Sequence, residues 1–174
     1  MTDLTEEHSS ATHFLFIAAS GEGGNDGDKS AFAWWLRTPK GEPLASGNNT
    51  LTSSVDDWPN AALLEAVLEP VTQRHIPVGA HLHVISDQKF FTDLLKKDRA
   101  VRRGEGYIKT SGKPLAYVEK WRELDMAFDE FNLTVRAGRA KSDLGKDIFL
   151  KLKDFVAILK DNIDNHADWT SRPG

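Results

Sequence analysis

The chain opens its ordered pattern with "HFLFIAASGEGGNDGDKSAFAWWLR", His13 to Arg37. Phe14 to Ala19 is a continuous apolar run, the pattern of a strand buried on both faces. A glycine-rich polar turn follows it. "SAFAWWLR" and "GEPLASGNNTL" predict two more strands, and "TPKGE" between them puts Pro and Gly where a hairpin turn needs them. "SSVDDWPNAALLEAVLEPVTQRH" then predicts a helix. Ser, Asp and Pro stand at its start, where N–H groups lack partners, and Pro70 is placed to kink or end it. "AHLHVISD" is a short apolar strand ending in a carboxylate, and "QKFFTDLLKK" a short helix. Asp98 to Pro114 is polar, basic and glycine-containing, which predicts a loop. "LAYVEKWRELDMAFDEF" places Tyr117, Trp121, Leu124, Phe128 and Phe131 on one helical stripe. "NLTVRAG" gives a last strand. "DIFLKLKDFVAILKDNI" closes with Ile148, Leu152, Phe155, Leu159 and Ile163 at helical spacing.

Three strands in succession form an antiparallel meander, and the later alternation of helix and strand requires parallel crossovers. The order predicts an α/β domain, one mixed sheet covered by helices, over residues 13–163. Residues 1–12 and 164–174 are expected to be flexible tails.

A chain of 174 residues suits one domain with a sizeable core. No apolar run is long enough to span a bilayer, and Met1 to Thr12 lacks the basic start and apolar stretch of a secretory signal. The absence of cysteine excludes disulfides and thiolate metal sites, and a cytoplasmic location is expected. The net charge of −4 argues against coating nucleic acid by bulk charge. The charge is uneven, however. From Lys96 to Arg122 nine Lys and Arg stand against three acids, so this stretch carries +6 and the remainder −10. Such a segment either grips a local anionic partner or is a solvated face.

Other candidate chemistry is sparse. "GEGGNDGDKS" lacks the spacing of a phosphate loop, and the segment after it reads as a strand, so no helix N-terminus faces a phosphate. His81 and His83 share one strand face, but no third ligand lies nearby in sequence. Trp34 and Trp35 must point to opposite faces, one to the core. Asp87 ends a buried strand, where ligand sites of open α/β sheets gather; a helix N-cap fits it equally well. Asp143 and Asp147, four apart at the start of the last helix, either share a face or complement the helix dipole.

Taken together in this order, several segments resemble the type I ribonuclease H family over about Phe14 to Leu159. "RRGEGYIKTSGKPLAYVEKWRELDMAF" (Arg102 to Phe128) is similar to the family's basic handle region and the helix after it. "NAALLEAVLEPV" resembles its first helix, "VISDQKFF" its fourth strand and following helix, and "VRAGRAKSDLGKD" its last loop and helix start. "GGNDG" is similar to the turn after its first strand. The resemblance implies a ribonuclease H-like fold, a five-stranded mixed sheet with helices on both faces. It also implies cleavage of RNA in RNA–DNA hybrids, with four carboxylates holding two Mg²⁺ or Mn²⁺ ions for an in-line displacement.

Carried over residue by residue, the resemblance is incomplete. The family aspartates of the fourth strand and last helix fall on Asp87 and Asp147, with Asp143 in place of an amide. The first-strand aspartate and first-helix glutamate fall on Ala19 and Leu63, which cannot ligate a cation. The loop histidine falls on Arg139. Two remaining aspartates make a poor site for two dications. Glu65 is rotated by about 200° from Leu63 around a helix, and Glu22 in the glycine-rich turn is the remaining carboxylate that could fold back. The expectation is a nucleic-acid-binding protein with hydrolysis lost or strongly impaired and no resident cofactor. Hybrid or duplex would be gripped through Lys96, Lys97, Arg99, Arg102, Arg103, Lys109, Lys113 and Arg139. The alternatives are an active enzyme with a rearranged metal site of Asp87, Asp147 and one of Asp143, Glu22 or Glu65, and a protein–protein interaction domain using the acidic body or the Trp58 region.

Overall fold

The computed structural model describes residues 12–20, 29–52, 60–108, 112–113 and 117–170. The glycine-rich turn with Glu22, the Trp58 region and Lys109 lie outside them.

Five strands form one sheet in the order β3-β2-β1-β4-β5. β1 (Thr12–Ala19) pairs antiparallel with β2 (Lys29–Arg37), and β2 with β3 (Pro43–Thr52), which completes the meander. β4 (His81–Ile85) and β5 (Thr134–Gly138) add on the other side of β1, both parallel. β1 is central, which is why its run is apolar throughout: Phe14 to Ile17 are fully buried. The "TPKGE" turn forms as expected, with Gly41 at φ 85°, a value that favours glycine.

Helices cover both faces. Leu15 and Ile17 of β1 join Phe32, Trp34 and Leu36 of β2 under α1 (Asn60–Thr72), α2 (Lys89–Lys96) and α4 (Val118–Glu130). Phe14, Phe16 and Ala18 face the other way and pack with Ile148, Phe149, Leu152 and Val156 of α5 (Asp143–Thr170). Trp34 and Trp35 separate between these layers as alternation requires. Trp34 is buried and donates its indole N–H to Glu69 Oε1 at 3.1 Å. Its strand partner is Gly47, where a Cβ would stand 2.6 Å from the indole ring, so only glycine fits there.

α1 is apolar nearly all round because the sheet and α4 both pack on it. It ends at Thr72, just past Pro70. The predicted stripe of α4 is also observed, with Trp121, Leu124 and Phe128 buried and Tyr117 and Phe131 packed against them.

One expectation needs correction. The stretch read as a loop from Asp98 holds a short helix, α3 (Arg99–Gly104), capped by Asp98, whose carboxylate accepts from the Ala100 N–H at 2.7 Å. The C-terminal helix runs on to Thr170. Among the described residues no helix is long and apolar enough to cross a membrane.

Candidate functional site

Because β1, β4 and β5 are parallel, their C-terminal ends lie along one edge of the sheet. That edge gathers Ala19, Asp87 and the turn after Gly138. The Ser86 N–H donates to the Gly138 carbonyl at 3.1 Å, and the Ser86 hydroxyl accepts from the Gln88 N–H at 3.1 Å. Ser86 is buried, so these bonds fix the backbone on either side of Asp87. Gln88, not Asp87, holds the N-cap position of α2, which leaves the Asp87 carboxylate available to other groups.

What meets that carboxylate is a lysine. Lys153 Nζ on α5 lies 2.8 Å from Asp87 Oδ2. Beside this pair is an open cavity of about 350 Å³, with Arg139 and Lys146 on its rim and Phe149 and Leu150 in its wall. Asp147 does not line it. Asp147 is exposed and bound to Lys151 Nζ at 3.0 Å, and Asp143 is exposed at the helix start. Among the described residues no three His, Cys, Asp or Glu side chains gather closely enough to hold a metal ion. The metal set expected from Asp87, Asp147 and Asp143 is therefore not assembled. Lysines at a seven-residue spacing, Lys146 and Lys153, turn toward the strand end, and the helical rotation carries Asp147 away.

Ala19 and Leu63, which the resemblance aligns with two carboxylates, both pack in the core. Ala19 packs on the cluster that buries Leu63, and Leu63 is 1% exposed. Glu65 is committed elsewhere, in an ion pair with Lys120 of α4. The described residues thus do not fit a site for two divalent cations, whose mutual repulsion requires several converging carboxylates.

The basic segment also differs from its sequence reading. Arg102 is the clearest correction: it is 3% exposed and cannot reach a ligand. Its guanidinium forks onto Asp125 and donates to the Leu94 and Lys97 carbonyls, each at 2.6 Å. Tyr107 donates its hydroxyl to the same carboxylate at 3.0 Å. Burial, followed by the Asp125 charge, pushes the Tyr107 phenol above its ordinary range and keeps it a donor.

Arg99 and Arg103 both bind Asp129, and their hydrogen bonds hold that carboxylate below its usual range. Lys97 pairs with Glu105 at 2.8 Å, Arg122 with Glu119 at 2.6 Å, and Lys96 stands 3.8 Å from Asp93. Lys113 is exposed. The segment is basic in sequence, yet most of its charge is balanced locally. Sequence reasoning missed Asp125 and Asp129; their four-residue spacing puts both on one face of α4, and that much could have been read.

No protein-family profile and no curated protein matches the chain. Solved structures do. The PFV RNase H domain aligns with a TM-score of 0.60 at 14% identity, over 87% of this chain and 94% of that one. A foamy viral protease–reverse transcriptase chain in complex with double-stranded DNA aligns with a TM-score of 0.59 at 13% identity, over 88% and 96% of the two chains. The foamy viral protease–reverse transcriptase in complex with an RNA/DNA hybrid gives 0.58 at 9% identity, over 83% of this chain and 19% of that one. These likenesses agree with the observed sheet order, mixed pairing and helices on both faces. The chain has a ribonuclease H-like fold.

Proposed function

We propose that this protein binds nucleic acid, an RNA–DNA hybrid or another duplex, and does not hydrolyse it at an appreciable rate. The observation that carries the reading is the ion pair between Asp87 and Lys153. An ammonium group meets the carboxylate that the family resemblance assigns to a metal, and Leu63 fills the core where a second ligand would stand. A lysine cannot take the place of two dications, because it neither activates a water nor stabilises a leaving oxygen as a Lewis acid. Loss of those ligands removes catalysis and leaves the surface of the fold intact.

Nucleic acid as the ligand is supported by the fold and by exposed cations on two parts of the surface. Foamy viral protease–reverse transcriptase, similar in fold, is found with double-stranded DNA and with an RNA/DNA hybrid. Lys96, Lys97, Arg103 and Lys113 are exposed on the basic segment, with Lys109 in the same stretch of sequence, and Arg139 is exposed at the strand-end edge. Arg99 is half-buried and contributes charge rather than direct contact. Binding is expected to fall with added salt, as counterions compete for the phosphates.

The test is one mixture read two ways. A labelled RNA–DNA hybrid is incubated with the protein in Mg²⁺ or Mn²⁺, and both complex and fragments are measured. Salt-sensitive complex without cleavage is expected. Metal-dependent cleavage would overturn the loss of hydrolysis, and absence of any complex with hybrid, duplex RNA or duplex DNA would overturn nucleic-acid binding.

A further inference from the structure

The pairing of charges divides the cations of this protein into two sets. On the basic segment, Lys97, Arg99, Arg102, Arg103, Lys120 and Arg122 each have a carboxylate against them. At the other end of β5, Arg139 and Lys146 have none: neither side chain makes an ion pair or hydrogen bond with a described residue. Both border the cavity of about 350 Å³ beside Asp87. They come from different elements, Arg139 from the turn after β5 and Lys146 from the first turns of α5, and meet across one concavity.

Asp87 does not neutralise them. Its charge is matched by Lys153, so the cavity carries a surplus of two positive charges. Its wall is apolar, with Phe149 almost buried and Leu150 beside it, and Lys153 lies over the Phe149 ring at 5.9 Å from the centroid. A guanidinium presents paired donors that match two phosphate oxygens, and an ammonium adds a mobile point charge.

We propose that this cavity is a metal-independent anion site that takes one phosphodiester group of a bound nucleic-acid strand, held by Arg139 and Lys146. The inference rests on the reading of the chain as a nucleic-acid binder and adds where the strand is held and by what. The phosphate is then held by cations of the chain itself and not by metal ions bridging protein and phosphate.

The test is a fluorescence-anisotropy titration of a labelled RNA–DNA hybrid, with duplex RNA and duplex DNA beside it, by the full chain, run in parallel in Mg²⁺ and in EDTA over a series of NaCl concentrations. Three proteins are compared: the unaltered chain, Arg139→Gln/Lys146→Gln, and a charge-matched control, Lys40→Gln/Lys151→Gln. The site variant is expected to bind roughly tenfold more weakly and to lose about one unit of the slope of log K against log salt. The control is expected to keep the slope. Chelation is expected to leave the unaltered chain's affinity unchanged. If the unaltered chain binds but the site variant keeps its slope, or if EDTA abolishes binding, the anion site is wrong while nucleic-acid binding stands. Displacement of the strand by inorganic phosphate or a 5′-mononucleotide at the strand's own concentration would assign the cavity to a small phosphate ligand and overturn the strand reading. Failure of the unaltered chain to bind any duplex would overturn the underlying reading and this one with it.

Discussion

Arg102 and Asp125 face each other fork to fork inside the protein, 3% and 0% exposed, with Arg102 Nε 3.1 Å from Asp125 Oδ2. The pair joins α3 to α4, and the remaining guanidinium donors close the end of α2 through the Leu94 and Lys97 carbonyls. Removing one partner strands the other charge in the core. Arg102→Met is therefore expected to cost about 3–5 kcal/mol in urea unfolding, and Arg102→Met/Asp125→Leu to recover much of that loss. Equal destabilisation by the single and double variants would show that the charges are not coupled.

Asp129 restrains two arginines at once. If the basic segment touches phosphate, Asp129→Asn should free Arg99 and Arg103 and raise the affinity for a hybrid, with a steeper salt dependence. An unchanged slope in a salt titration would separate that surface from the nucleic-acid interface.

The strand-end edge allows carboxylates to be placed at the two positions the resemblance assigns to them. Leu63→Glu alone buries a carboxylate among apolar side chains and is expected to cost about 3 kcal/mol or more. Adding Ala19→Asp and Lys153→Met removes the competing ammonium and supplies a second carboxylate. The triple variant should then show a Tm that rises with Mn²⁺ concentration, while the unaltered chain does not. A triple variant indifferent to Mn²⁺ would mean that Ala19 and Leu63 do not occupy the ligand positions assigned to them.

His13 supplies a pH signature. Its Nδ1 is buried on β1 with no hydrogen-bond partner among the described residues, and burial lowers its pKa from the ordinary 6.5. Below pH 6.5 the unfolded chain takes up a proton that the folded chain refuses. This contribution to stability is complete above the unfolded pKa and is lost as pH falls toward the lower folded value. His13→Leu should flatten the dependence of stability on pH over that window. Identical slopes for the two proteins would show that His13 does not carry it.

The fold was legible because its signals are local. A continuous apolar run marked the central strand, the turn residues marked the hairpin, and the helical stripe of Trp121, Leu124 and Phe128 marked the face of α4. The local pairing within the basic segment was not legible, because a charge count along the chain cannot see which acids fold onto which bases. Asp125 and Asp129 lie just past Arg122, and only folding brings them onto the arginines. The chemistry of Asp87 was half legible: its strand-end position follows from sequence, whereas Lys153 is far away along the chain and meets it only through the packing of α5. Asp147 misled for the same reason. Adjacent helical positions differ by about 100° in direction, and Lys146, its neighbour, is the one on the cavity rim.

The most direct test of the account is a crystal of the unaltered protein soaked in Mn²⁺ and measured for anomalous scattering. The predicted map has no manganese at the end of β4, with the Lys153 ammonium still against Asp87. Two strong peaks beside Asp87, each ringed by protein oxygens, would contradict it.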